Sequence, residues 1–202
     1  MKSVVPGVYQ WSVFNEEKGL NFNGLYLQCQ GGPLLVDPPA LKSEEVAEIQ
    51  GLGVPKFIYL TNKHHTRASA EHRERWGAKL LVPEDDRALM EIPVDGTFSD
   101  GELIAGDLEA INLPDSKTPG ECAFYWRGKK ILILGDAIIG KADGLALLPD
   151  EKFKDPHLAR QGLRVLQGLE YDRLLLGDGE GIDADAARKV EAFIDSVAPQ
   201  NP

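Results

Sequence analysis

The chain has 202 residues, 43% of them hydrophobic and 27% charged, with a formal net charge of −10. This composition is that of a globular protein with a sizeable core and excludes a disordered chain. The acidic excess excludes long-range attraction to DNA, RNA or an anionic membrane surface, which takes clustered Lys and Arg. One domain over residues 1–202 is expected, with a small molecule as partner and self-association left open.

Val8 to Phe14 and Gly24 to Gln30 are rich in aromatic and β-branched residues between Gly and Asn breakers, which predicts two strands joined by a turn around Asn15 to Gly19. Gly31-Gly32 turns the chain into a third strand, Pro33 to Val36, that stops at Asp37-Pro38-Pro39. Ser43 is placed to cap a helix through Gln50, with Glu44 and Glu45 in its first turn. The apolar run Phe57 to Leu60 predicts a strand, followed by a helix to about Trp76, a strand Lys79 to Val82 and a short acidic helix Pro83 to Met90. Strands then recur at Leu108 to Leu113, Glu121 to Trp126 and Lys130 to Leu134, the last two as a hairpin through Arg127-Gly128-Lys129. A long loop runs through Asp150. Asp155-Pro156 starts a helix whose apolar face continues to Leu169, Arg173 to Leu176 is a strand, and Asp183 opens the final helix. This alternation belongs to layered α/β folds, here two sheets face to face with helices outside.

Polar residues stand at the ends of these strands. Thr61-Asn62-Lys63-His64-His65-Thr66-Arg67 follows Leu60 and holds two of the four histidines; Asp37, Lys117, Asp136 and Asp178 follow other strands. Catalytic groups favour such strand-to-loop edges, and neutral imidazole is the commonest metal ligand. Each residue also has a structural reading: Asp37 and Asp136 accept backbone N–H groups, His65 is a solvated loop residue, and His72 lies on an exposed helix face beside Glu71 and Arg73. Cys122 packs inward as a small hydrophobe. No apolar run approaches the ~20 residues that span a bilayer. The N-terminus lacks an apolar segment of signal-peptide length and the two cysteines are far apart, so the expectation is a cytoplasmic protein with free thiols.

These motifs, in this order, resemble the metallo-β-lactamase superfamily, whose members have a four-layer αββα sandwich with a metal site at one edge. The family's Thr-His-x-His-x-Asp-His is matched by Thr61 to Arg67 and its Gly-His-Thr-Pro-Gly by Ser116-Lys117-Thr118-Pro119-Gly120. Leu35-Val36-Asp37, Gly135-Asp136 and Gly177-Asp178-Gly179 match three further motifs. The resemblance carries the family's metal-binding positions onto Asn62, His64, Thr66, Arg67, Lys117, Asp136 and Asp178, of which only His64 and Asp136 keep the expected type. Arg67 and Lys117 would put positive charge where a divalent cation should sit.

Three functions follow. The first is a metal-free binding protein or pseudoenzyme whose old pocket, with Asp37, Asn62, His64, His65, Arg67, Lys117, Asp136 and Asp178 as candidates, recognises an anionic or polar small molecule. The second resembles the glyoxalase II or lactamase branches: a hydrolase of an ester, thioester or lactam with one zinc or other divalent ion on His64, Asp136 and Asp178, and His65 as a further candidate. One zinc needs only three protein ligands and a place for water. The third is a structural or interaction protein. No cofactor is expected under the first or third.

Overall fold

The computed structural model describes residues 1–198. Seven strands form the first sheet in chain order: β1 (Lys2–Val5), β2 (Val8–Asn15), β3 (Leu20–Cys29), β4 (Gly32–Val36), β5 (Phe57–Tyr59), β6 (Lys79–Pro83) and β7 (Gly96–Phe98). The second sheet holds β8 (Leu103–Ile104), β9 (Leu108–Asn112), β10 (Cys122–Trp126), β11 (Ile131–Leu134) and β14 (Arg173–Leu176), in the order β14-β11-β10-β9-β8. A separate hairpin pairs β12 (Ile139–Lys141) with β13 (Gly144–Ala146). Helices α1 (Ser43–Leu52) and α2 (Ser69–Trp76) belong to the first half, and α3 (Pro156–Gly162) and α4 (Ala186–Val197) to the second.

Period-two alternation explains the layers. Along β3 and β4, Leu25, Leu27, Leu34 and Val36 enter the cluster between the sheets, while Tyr26 and Leu35 turn outward to join Ile49 of α1 and Ala78. Along β10 and β11, Cys122, Phe124, Trp126, Ile131 and Ile133 face the first sheet, and Ala123, Tyr125, Leu132 and Leu134 pack with Val190 and Ile194 of α4. Three apolar clusters therefore separate four layers, the αββα sandwich expected. Strands covered on both faces read as continuous apolar runs, which is why Ile131 to Leu134 has no polar residue.

Several elements differ from the sequence reading. β1, β7 and β8 were not expected, and the loop through Asp150 contains the β12–β13 hairpin. The acidic helix is a 3-10 turn, Glu84–Leu89. Ser43 is the first helical residue and not the cap, because the turn is closed by Glu45 accepting from the backbone N–H of Lys42 at 2.8 Å. Asp183 likewise lies before α4, which begins after Asp185 in a left-handed conformation (φ 55°). Asp155 does cap α3, accepting from the backbone of His157 and Leu158. That helix ends at Gly162 and continues only as a 3-10 turn, Leu163–Leu166. A Cβ at Gly162 would stand 2.2 Å from the Pro114 carbonyl oxygen, so this glycine lets the loop of residues 114–120 cross the helix closely.

The topology gathers the motifs. β4 and β5 run parallel, as do β11 and β14, so Asp37, Thr61, Asp136 and Asp178 all follow C-terminal strand ends. β10 runs against β11, and its entry loop, residues 114–120, lies at the same edge. The two sheets are tied there by Asn23 N–H to Gly177 O (2.7 Å) and Cys122 N–H to Thr61 O (2.9 Å). No helix among the described residues is long and apolar enough to cross a membrane.

Candidate functional site

The centre of the edge is His65. After Leu60 the chain enters a 3-10 turn, Lys63–Thr66, capped by Asn62, whose Oδ1 accepts from His64 N–H at 2.8 Å. The turn kinks at His65 (φ −92°, ψ 22°) and carries this ring inward. His65 is buried and His64 exposed, so the solvated-loop reading of His65 does not hold. Its Nδ1 lies 2.8 Å from Asp37 Oδ2, and its Nε2 lies 3.5 Å from Asp136 Oδ1 and 4.0 Å from Asp178 Oδ1. Asp37 is fixed in turn by Thr61, which donates its backbone N–H to Oδ1 (2.8 Å) and its hydroxyl to Oδ2 (2.6 Å). Gly177 passes so near that a Cβ there would stand 2.7 Å from the imidazole.

Two further cations close on the same carboxylates. The Arg67 guanidinium donates to Asp178 Oδ1 at 2.5 Å and to the backbone carbonyls of Asn23 (2.6 Å), Asp37 (3.0 Å) and Gly177 (3.0 Å), joining ends of both sheets. It also lies over the Phe22 ring, 4.8 Å from the centroid. Lys117 donates to Asp136 Oδ2 at 2.7 Å. Arg67 and Asp37 both have positive φ (41° and 47°), a strained conformation for residues with a Cβ. It persists because their side chains are held from several sides.

The protonation states follow from this packing. Burial and the nearby Arg67 act to lower the His65 pKa, but Asp37 and Asp136 outweigh them and hold it up to about 10. Burial acts to raise Asp136, yet His65 and Lys117 dominate and keep it well below the ordinary carboxylate range. Asp178 goes the other way: burial, with help from Asp136 and Asp37, outweighs His65 and Arg67, and its pKa is raised. Three cations therefore face three carboxylates.

Three residues that the sequence reading passed over complete the site. Glu121 is fully buried, accepts Asp136 N–H at 2.9 Å, and is pushed well above its usual pKa by burial and by the charge of Asp136. Asp86 accepts from Lys63 N–H (2.7 Å), Thr118 hydroxyl (2.9 Å) and Gly120 N–H (2.9 Å), clamping the loop of residues 62–67 to the loop of residues 114–120. Asn23 donates to the carbonyls of Leu176 (2.8 Å) and Gly179 (2.7 Å). The one sequence signal for Glu121 was an isolated charge flanking an apolar strand; Asp86 sat in an acidic run that reads as solvated.

The fold brings Asp37, Asn62, His65, Arg67, Lys117, Asp136 and Asp178 together. Asn62 is fully buried under the loop with its Nδ2 unpartnered, and Arg67, His65 and Asp37 are used by protein contacts. Lys117 keeps the most exposure of the paired groups, 21% of its side chain. His64 stays outside: the ligand atoms that come within 4.8 Å of one another are those of His65, Asp136 and Asp178, so the histidine of the expected single-ion set is corrected from His64 to His65. His72 is also corrected. It is fully buried, stacked on Trp76 and hydrogen-bonded through Nε2 to the Pro39 carbonyl (2.9 Å), because its face of α2 turns to the sheet.

The fold and this edge define a class. The chain belongs to the metallo-beta-lactamase superfamily, whose family model matches residues 1–197. A metallo-beta-lactamase from Pontibacter korlensis superposes with a TM-score of 0.79 at 19% identity, over 98% of each chain. TTHA1429, a metallo-beta-lactamase family protein from Thermus thermophilus, gives 0.70 at 21% identity, over 96% of this chain and 80% of that one. TTHA1623, solved in a di-iron-bound form, also gives 0.70 at 21% identity, over 94% of this chain and 98% of that one. A search of curated proteins returns no match.

The residues present do not fit a pair of divalent ions. Arg67 and Lys117, which the resemblance places on two of the family's ligand positions, are cations and donate to Asp178 and Asp136.

Proposed function

We propose that the chain is a metal-independent member of the superfamily that binds a small molecule instead of hydrolysing one. The observation that carries this reading is the pairing of Lys117 with Asp136 and of Arg67 with Asp178, which leaves neither carboxylate free for an ion. Because the cluster is closed, the ligand's place under this reading is the open groove beside it. That groove has a volume of about 520 Å³ and is lined by Phe14, Lys18, Leu20, Asn21, Lys141 and Glu180 among others. Its size lies within the roughly 300–1,000 Å³ usual for small-molecule sites. Glu180 follows the cluster closely in sequence, and Phe14, 60% exposed as a residue, offers an aromatic ring. An apolar face between charges of both signs suits a polar ligand with a flat apolar part.

A second reading, a single-ion hydrolase, is favoured by one feature: His65, Asp136 and Asp178 converge, and Asp37 orients the far ring nitrogen as carboxylates do behind metal-bound histidines. One experiment separates the two. Metal-depleted protein is screened by thermal shift against anionic, zwitterionic and aromatic polar compounds, since a ligand that binds only the folded state raises its melting temperature. The expected outcome is a stabilising compound whose effect disappears in Phe14→Ala. Stoichiometric metal in the purified protein, with metal-dependent cleavage of an ester, thioester or lactam, would replace this reading with the hydrolase. Neither metal nor a stabilising compound leaves the structural or interaction role.

A further inference from the structure

We infer that His65, Asp136 and Asp178 form a latent divalent-metal site that Arg67 and Lys117 hold shut, so that removing those two cations alone lets the chain take up one ion. The inference rests on the metal-independent part of the proposed function. It goes beyond it by naming the residues that exclude the ion and those that would receive it.

The geometry separates a donor set from the groups that block it. Ligand atoms of His65, Asp136 and Asp178 already lie within 4.8 Å of one another. His65 Nδ1 is committed to Asp37, which leaves Nε2 as the atom facing the two aspartates. Three such donors and an open position are what a single zinc ion requires. In this chain, however, carboxylates face both edges of the imidazole. Arg67 holds Asp178 and Lys117 holds Asp136, so an incoming ion meets two fixed positive charges and finds both aspartates already paired. Unequal exposure suggests the order of opening: Lys117 is 21% exposed at its side chain and Arg67 7%.

The two cations also differ in what depends on them. Lys117 has a single protein acceptor among the hydrogen bonds of the site, whereas Arg67 reaches backbone carbonyls that follow or belong to β3, β4 and β14. Losing Lys117 frees one carboxylate and leaves the sheet contacts intact. Losing Arg67 frees the second carboxylate and loosens the edge.

The test is zinc uptake, measured by equilibrium dialysis and elemental analysis together with the melting temperature, on the parent, Lys117→Ala, and Arg67→Ala/Lys117→Ala. The parent is expected to retain no stoichiometric zinc and to show no zinc-dependent melting shift. Lys117→Ala is expected to bind zinc measurably more tightly than the parent. The double variant is expected to hold about one equivalent, with a melting temperature that rises with zinc concentration. Adding Asp136→Asn to the double variant should abolish the uptake. If the double variant folds only when zinc is present, that dependence counts for the inference; if it does not fold at all, Lys117→Ala decides alone. A folded double variant that takes up no more zinc than the parent, or a Lys117→Ala protein indistinguishable from it, overturns the inference and leaves the metal-independent reading standing. One tightly held equivalent in the parent overturns both. Failure to find a groove ligand touches neither the parent's metal content nor the variants'.

Discussion

The charged cluster and the groove beside it sit at neighbouring strand ends yet follow opposite rules. In the cluster Asp37, Asp136 and Asp178 each have a basic side chain within 4.0 Å, and the side chains of Asp37, His65, Arg67 and Asp136 are less than a tenth exposed. In the groove Lys18, Lys141 and Phe14 are open to solvent, and among the described residues neither lysine ammonium group is held by a hydrogen bond or ion pair. Buried charge is tolerated only when paired, because taking an ion out of water costs several kcal/mol, whereas exposed charge is hydrated and free to meet a ligand. Under the proposed function, the part of the edge that resembles a metal centre is the part least able to bind anything new.

The sharpest way to break this contrast is Arg67→Ala. Its side chain is 7% exposed, and its removal strands Asp178 and releases three backbone carbonyls. A loss of about 3–5 kcal/mol is expected by urea denaturation, the cost of breaking a buried pair by removing one partner. A loss below about 1 kcal/mol, the size expected of an exposed pair, would show the cluster to be open to solvent.

His65 provides the next effect, and it is read by pH. Its folded pKa is raised to about 10 from an ordinary value near 6.5, so the folded state keeps a proton that the unfolded chain has released. The resulting stabilisation is complete below about pH 6.5 and is lost as pH rises through about 10; a fall on the order of 2–4 kcal/mol is expected over that window. Denaturation curves at several pH values check it, and His65→Gln should flatten the decline. A parent whose stability is level from pH 7 to 10 would contradict an imidazolium at this centre. Lys117→Ala comes third, with about 2 kcal/mol expected for one charge-assisted hydrogen bond, since His65 still faces Asp136.

The fold was legible because its signal is redundant. Apolar runs such as Ile131 to Leu134 and Leu174 to Leu176, each ending in Gly-Asp, place strands and edge at once. Charge at the ligand positions was legible too, since Arg67 and Lys117 are cations whatever their surroundings. What sequence could not supply was direction. Adjacent histidines in a 3-10 turn point to different sides, and one kinked residue decides that His65 and not His64 enters. His72 was hidden by its charged neighbours, Glu71 and Arg73, which share its helix but not its face. Asp86 looks like its exposed neighbour Asp85, and only the fold brings Lys63, Thr118 and Gly120 to it.

The smallest expected effect on stability is also the one that best separates the two regions. Phe14 lies at the end of β2, 60% exposed, and belongs to none of the three apolar clusters. Replacing a side chain that has little packing to lose changes stability by no more than about 0.5 kcal/mol, so Phe14→Ala should unfold with the parent. It should also keep the alkaline decline that His65 imposes, because no residue of the cluster leans on it. Its effect should appear only with a compound that stabilises the parent: a ring stacked on such a ligand contributes about 1–3 kcal/mol of burial, enough to weaken binding roughly tenfold or more. Arg67→Ala makes the converse case, a large loss of stability that does not by itself remove a groove contact. Titrating one compound against both variants, each well below its own melting temperature, therefore tests the division directly. Equal weakening in the two would mean that groove and cluster act as one site, and the contrast between a closed centre and an open flank would have to be given up.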